Sequence, residues 1–145
     1  MKILSKERSG GKENAGRLFL CGVNINMDIR EIDYLTAKKF IKDKLLIVKP
    51  NYDYYGYFKN GVLAAACGIE FKKKYTRIHC NYTAPEHRNN GYITKLMTLV
   101  LTYIPGPVKG NCLETSVNIY KKLGFEVVGT KIYRGQTAYK MEMIR

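Results

Sequence analysis

Thr83 to Met97, TAPEHRNNGYITKLM, reads as a strand ending near Pro85, a polar loop, and a helix opening at Gly91. Unpaired N–H groups at a helix start point outward along the axis, and the dipole favours negative charge there. A glycine at the entry lets backbone approach a ligand closely. Such a strand–loop–helix is a ready cradle for a phosphate or diphosphate. Arg88 adds a cation to the loop; its plain alternative is a solvated surface arginine. A second stretch, Tyr120-Lys121-Lys122-Leu123-Gly124-Phe125, offers a phenol near a helix end. A phenol of pKa about 10 can act as a proton donor in a dry site. Its plain alternative is a tyrosine packed in the core.

A proton acceptor is also needed. His79 lies on an expected strand, Tyr75 to Thr83, and imidazole suits proton removal near neutrality. Arg77, two residues earlier on the same face, cannot act as an ordinary base. Glu70 on the preceding strand is a second candidate, and a water chain a third. His79 also reads as a hydrogen-bonded structural histidine. Cys80 and Cys112 offer a covalent route, which requires a lowered thiol pKa. Strand alternation puts His79 and Cys80 on opposite faces.

Together the two stretches resemble the GNAT superfamily of N-acetyltransferases, clearly over about residues 54–145. The family carries V-x-P-x-x-[RQ]-x-x-G-x-[GA], and this chain has Thr83, Pro85, Arg88 and Gly91 in register. Ile93 stands where the second small residue falls. The family also carries a Tyr three residues before L-G-F, which Tyr120 matches. The resemblance implies an α/β (α+β) fold with a mixed, mostly antiparallel sheet of about six to seven strands flanked by helices. It implies acetyl-CoA, or another acyl-CoA, cradled at residues 83–96. The binding positions are Tyr82, Thr83, Arg88, Asn89, Asn90, Gly91, Tyr92 and Ile93, with the diphosphate on the amides of residues 88–93. The thioester is expected between strands Tyr75–Thr83 and Val108–Cys112, its carbonyl polarised by amides near Asn81 to Thr83. Tyr120 is expected to protonate the departing thiolate. An Asn common in the family seven residues before that Tyr is replaced by Leu113. The base position of the histone-acetyltransferase branch falls on Arg77, so His79 joins Tyr120 as the catalytic pair. No metal is expected.

Several elements must hold these groups. Arg17 to Asn24 reads as a strand. Asp28 with Glu31 resembles a capping box, and Ile29, Ile32, Phe40 and Ile41 suggest an amphipathic helix from Ile29 to Lys44. Asn60-Gly61 suits a type I′ turn between strands within residues 54–71. Apolar residues at 93, 96, 97, 100, 101 and 104 place a helix over Gly91 to Ile104, with Asn90 as its cap. A strand, Val108 to Cys112, and a short helix capped by Thr115 or Ser116 and ended by Gly124 follow. Phe125 to Thr130 and Gln136 to Ile144 close the chain around Arg134-Gly135. The order β-α-β-β-β-α-β-α-β-β excludes a doubly wound parallel sheet.

A chain of 145 residues fits one domain, 1–145, with the Gly-rich stretch 1–16 as a loop or mobile arm. Its size needs neither disulfide nor metal, and the four isolated cysteines read as reduced. No run approaches a membrane span and no signal-peptide core is visible, so the expected location is cytoplasmic. The net charge of +13 favours polyanions: CoA, nucleic acid or acidic surfaces. Asn51 to Phe58 is rich in tyrosine, which suits either base stacking or buried strands. Three readings follow: an acyl-CoA-dependent N-acyltransferase acting on an amine; a GNAT-fold enzyme modifying aminoacyl-tRNA or a DNA base; and a non-catalytic module binding nucleic acid or a protein. The partners are a CoA thioester and an unidentified amine, with nucleic acid and a homodimer as further options.

Overall fold

A computed structural model describes residues 28–144. The strand expected at 17–24, the arm at 1–16 and Cys21 lie outside the described residues. Seven strands form one sheet: β1 (Ile29–Ile32), β2 (Asp53–Lys59), β3 (Val62–Phe71), β4 (Thr76–Thr83), β5 (Val108–Leu113), β6 (Glu126–Tyr133) and β7 (Gln136–Met143). Three helices accompany them: α1 (Tyr34–Phe40), α2 (Tyr92–Thr102) and α3 (Val117–Lys122). The strand order is β1-β2-β3-β4-β5-β7-β6. Every pairing is antiparallel except β4 with β5. The mixed, mostly antiparallel sheet agrees with expectation.

The helix expected from Ile29 to Lys44 is corrected. Residues 29–32 pair as a strand with Tyr54 to Tyr57. A spacing of three puts Ile29 and Ile32 on one helical face, but both are buried as ends of an edge strand instead. The helix begins after Asp33, whose carboxylate accepts from the Thr36 N–H at 2.7 Å, and ends at Phe40. Residues 41–49 then run as a loop.

The two hairpins form at the expected turns. Asn60 and Gly61 have φ of 51° and 80°, and Arg134 and Gly135 have 49° and 80°. Positive φ at both central residues gives the turn whose twist matches the strands. Helix α2 buries Leu96, Met97, Val100 and Leu101 against the sheet. Each such burial contributes about 1.5–3 kcal/mol, which fixes the helix start against β4. Tyr52, Tyr54, Tyr55 and Tyr57 are buried core residues, so no base-stacking platform exists there. Among the described residues, no helix is long and apolar enough to cross a membrane.

Candidate active site

Strands β4 and β5 pair only at Thr76–Val108, Arg77–Lys109 and Ile78–Gly110. Beyond those positions they part, and β5 keeps its ladder with β7. A parallel ladder that opens midway leaves a wedge-shaped gap in the sheet. A bulge on β4 sits at the opening: Gly68 faces His79, but Ala66 faces Tyr82. Cys80 takes φ of 58° there. One inserted residue bends the strand and resets which way its side chains point.

The bulge divides the strand's duties. Asn81, Tyr82 and Thr83 line a cleft of about 650 Å³ with the loop and start of α2. Residues 77–80 line a smaller cavity of about 270 Å³. Asp43 lines both and marks where they meet. The expectation that His79 and Cys80 face apart is therefore corrected: both open on the smaller cavity.

In the larger cleft, Gly91 precedes α2 with φ of 74°, and a Cβ there would meet nothing within 4 Å. Among the described residues, no side chain caps this helix start. Asn90 is not the cap, because its amide nitrogen turns back to the His87 and Arg88 carbonyls at 3.1 and 3.3 Å. Asn90 also does not line the cleft, whereas Tyr82, Thr83, Arg88, Asn89, Tyr92 and Ile93 do. Arg88 is exposed and donates to the Thr83 carbonyl at 2.9 Å. Ile93 packs partly against the core and leaves the cleft open.

Tyr120 reaches the same cleft from α3. Its ring is edge-on to Phe125 at 5.1 Å and lies against Gly110, where an added Cβ would sit 3.3 Å from the ring. The Asn81 amide donates to its hydroxyl at 2.7 Å and to the Met97 sulfur at 2.9 Å. Burial pushes the Tyr120 hydroxyl far above its ordinary pKa, helped by Cys112, so it stays protonated at neutral pH. Among the described residues, the buried Asn81 side-chain oxygen has no hydrogen-bond partner. Sequence reading used only the backbone at Asn81 and missed this side chain. Its partner lies 39 residues away, so no local pattern signals it.

His79 and Glu70 meet. The His79 Nε2 lies 2.8 Å from the Glu70 carboxylate, and Lys72 lies 3.4 Å from the same carboxyl group. Tyr52, also missed, stacks on the imidazole at 4.1 Å with planes 6° apart. Burial lowers the His79 pKa below its ordinary 6.5, against the opposing pull of Glu70. Burial opposes ionisation of Glu70, yet its contacts with His79 and Lys72 outweigh this and hold its pKa below the ordinary value. The imidazole is thus neutral at pH 7, donating from Nε2 to a carboxylate and keeping Nδ1 as its basic nitrogen. Burial pushes the thiols of Cys80 and Cys112 up to about 12 and about 11, so neither is a thiolate at neutral pH.

The opened parallel strand pair thus has a helix start with no side-chain cap among the described residues on one side and a carboxylate-backed imidazole on the other. Residues 23–125 match the Acetyltransferase (GNAT) family, and the chain belongs to it. No curated protein sequence matches the chain. Among solved structures it is similar in fold to yncA from Salmonella typhimurium, which was solved with its cofactor acetyl-CoA. That likeness has a TM-score of 0.64 at 15% identity and covers 82% of this chain and 94% of that one. It is similar to the IAA acetyltransferase from Bacillus cereus, with a TM-score of 0.63 at 15% identity over 81% of this chain and 98% of that one. A GNAT-family protein of Bordetella pertussis matches over 63% of this chain, at a TM-score of 0.55 and 15% identity, and the chain spans 65% of that protein.

Proposed function

We propose that this chain is an acetyl-CoA-dependent N-acyltransferase that moves the acyl group directly to an amine. One observation carries the reading: where β4 parts from β5, its residues 81–83 line a cleft shared with Tyr120 and the α2 start, and its residues 77–80, His79 included, line a second cavity that has Asp43 in common with the first. The cleft fits the cofactor on two counts. The helix start at Gly91 has open space for a diphosphate. The unpartnered Asn81 oxygen is an acceptor suited to an amide N–H of the pantetheine arm.

Bound there, acetyl-CoA supplies a thioester whose C–S bond breaks as the C–N bond of the new amide forms. The amides of residues 89–93 would hold its diphosphate, with Arg88 beside them; the Arg88 N–H itself is bonded to the Pro85 carbonyl at 3.4 Å. The Ala84 N–H is bonded to the Ala64 carbonyl at 2.9 Å, so by alternation the Thr83 N–H points toward the opening, where it can polarise a carbonyl. His79 takes the proton of the attacking amine, and Glu70 stabilises the resulting imidazolium. Tyr120 gives its hydroxyl proton to the leaving sulfur. Placing the acid and the base in adjoining cavities lets both partners meet in one geometry, which supplies much of the rate.

The test is a melting-temperature titration with acetyl-CoA, followed by CoA release with amine acceptors. A saturable rise in melting temperature is expected. No shift at millimolar acetyl-CoA would sink the reading.

A further inference from the structure

The smaller cavity is shaped for a particular acceptor. Among the described residues lining it, Lys49, Arg77 and Lys131 are cationic, and Asp43 alone is a carboxylate. The charges of Lys49 and Arg77 both bear on His79, so two of the cations gather around the base. With the Asn111 amide turned to the orientation its neighbours require, its oxygen accepts from the Arg77 guanidinium at 2.9 Å and its nitrogen donates to the Gly110 carbonyl at 3.1 Å, which positions Arg77. The only acid, Asp43, stands where this cavity meets the larger cleft.

One wall, Leu45 to Ile47, is apolar and pinned. Three successive stretches of the loop after α1 are held by side chains from elsewhere in the fold. Arg134 donates to the Lys44 carbonyl at 2.7 Å, Tyr133 to the Leu45 carbonyl at 2.9 Å, and Cys80 to the Ile47 carbonyl at 2.9 Å. Leu45, Leu46 and Ile47 are thereby set along the cavity. At about 270 Å³ the space falls just under the roughly 300–1,000 Å³ of drug-sized ligand sites.

We propose that the acceptor is a small amino-carboxylate with an apolar body, of the size and kind of a hydrophobic α-amino acid. The inference rests on the acyltransferase reading above. The carboxylate is matched to Arg77 and the flanking lysines and the apolar body to the Leu45–Ile47 wall; the amine, one carbon from the carboxylate, then falls between His79, which takes its proton, and Asp43 beside the opening. A polycation is disfavoured by three positive charges in so small a space. A folded protein substrate is disfavoured by the pinned loop.

The matched-pair test uses phenylalanine against phenethylamine and leucine against isopentylamine, with spermidine and a lysine-containing peptide as controls. Only the carboxylate differs within each pair. With acetyl-CoA binding first established by the melting shift, CoA release is measured across acceptor concentrations. The amino acids are expected to show kcat/KM on the order of tenfold to hundredfold above their decarboxylated partners. Arg77→Gln, and separately the exposed Lys131→Gln, are expected to shrink that ratio while the acetyl-CoA melting shift stays. Equal or better use of the decarboxylated amines, preference for spermidine or the peptide, or no turnover of any amino acid by acetyl-CoA-binding protein would each overturn the assignment. Loss of the acetyl-CoA shift itself in the wild type would instead strike the acyltransferase reading.

Discussion

The Asn81 side chain donates to the Tyr120 hydroxyl oxygen at 2.7 Å. A hydroxyl that accepts from Asn81 keeps its own proton for another partner. Burial keeps that proton on at neutral pH. The proposed acid role requires both: a hydroxyl that is protonated at neutral pH and a hydrogen not given to Asn81. The first prediction follows. Tyr120→Phe is expected to lower kcat by about a hundredfold. The acetyl-CoA dissociation constant, read by calorimetry, should stay within the same order. Unchanged turnover would remove Tyr120 from the acid role.

Gly110 sets the position of that ring. A Cβ at residue 110 would lie 3.3 Å from Tyr120 Cε2 and 3.6 Å from its oxygen. Gly110→Ala should push the phenol aside and reduce kcat by roughly tenfold or more. Crowding of this kind costs about 1–3 kcal/mol, so denaturant unfolding should show the variant still folded. A variant with full activity would show that the ring's placement is not limiting.

Gly91 separates a backbone effect from a ligand effect. Its φ of 74° is costly for an L side chain, about 1–2 kcal/mol. Among the described residues, nothing lies within 4 Å of the added methyl. Gly91→Ala should therefore lose modest stability, while Gly91→Val should also raise the KM for acetyl-CoA by crowding the diphosphate. Equal KM values for wild type and Gly91→Val would place the diphosphate elsewhere.

The pH profile reports on His79. A base must be neutral to accept a proton, and burial lowers the His79 pKa below 6.5. The acid limb of kcat/KM should therefore lie below pH 6.5, with a plateau by pH 7. Glu70 pulls that pKa upward, so Glu70→Gln should move the limb further to acid. The same depressed pKa contributes stability above pH 6.5 that is lost as pH falls through the folded value. A limb above pH 7 would point to another base.

The thiols predict the kinetic pattern. Burial holds Cys80 and Cys112 protonated at neutral pH, so no acyl-cysteine is expected. Initial-velocity plots should intersect, as direct transfer through a ternary complex requires, and Cys112→Ala should retain turnover. Parallel lines would revive the covalent route.

Much of this site was legible beforehand. The Gly91 helix start needs only a local glycine and an apolar repeat, and both helix and glycine stand where the pattern puts them. The turn pairs Asn60-Gly61 and Arg134-Gly135 are equally local. Ile29 and Ile32 misled because a three-residue spacing serves a helix face and, here, the two ends of a four-residue edge strand. Neighbouring β2, not propensity, settled which. His79 and Glu70 were separate candidates; the β3–β4 register made them partners.

By itself the sequence determined the fold class, the glycine-led start of α2 and the helix that carries Tyr120 before Leu123-Gly124-Phe125, because these depend on residues a few positions apart. Tertiary structure alone decided the Asn81–Tyr120 contact, the His79–Glu70–Tyr52 cluster and the side to which Cys80 turns. Each depends on strand register, and a single inserted residue at Cys80 reverses which face a side chain takes. No short-range pattern carries that information, since it arises only when distant strands fix one another in place.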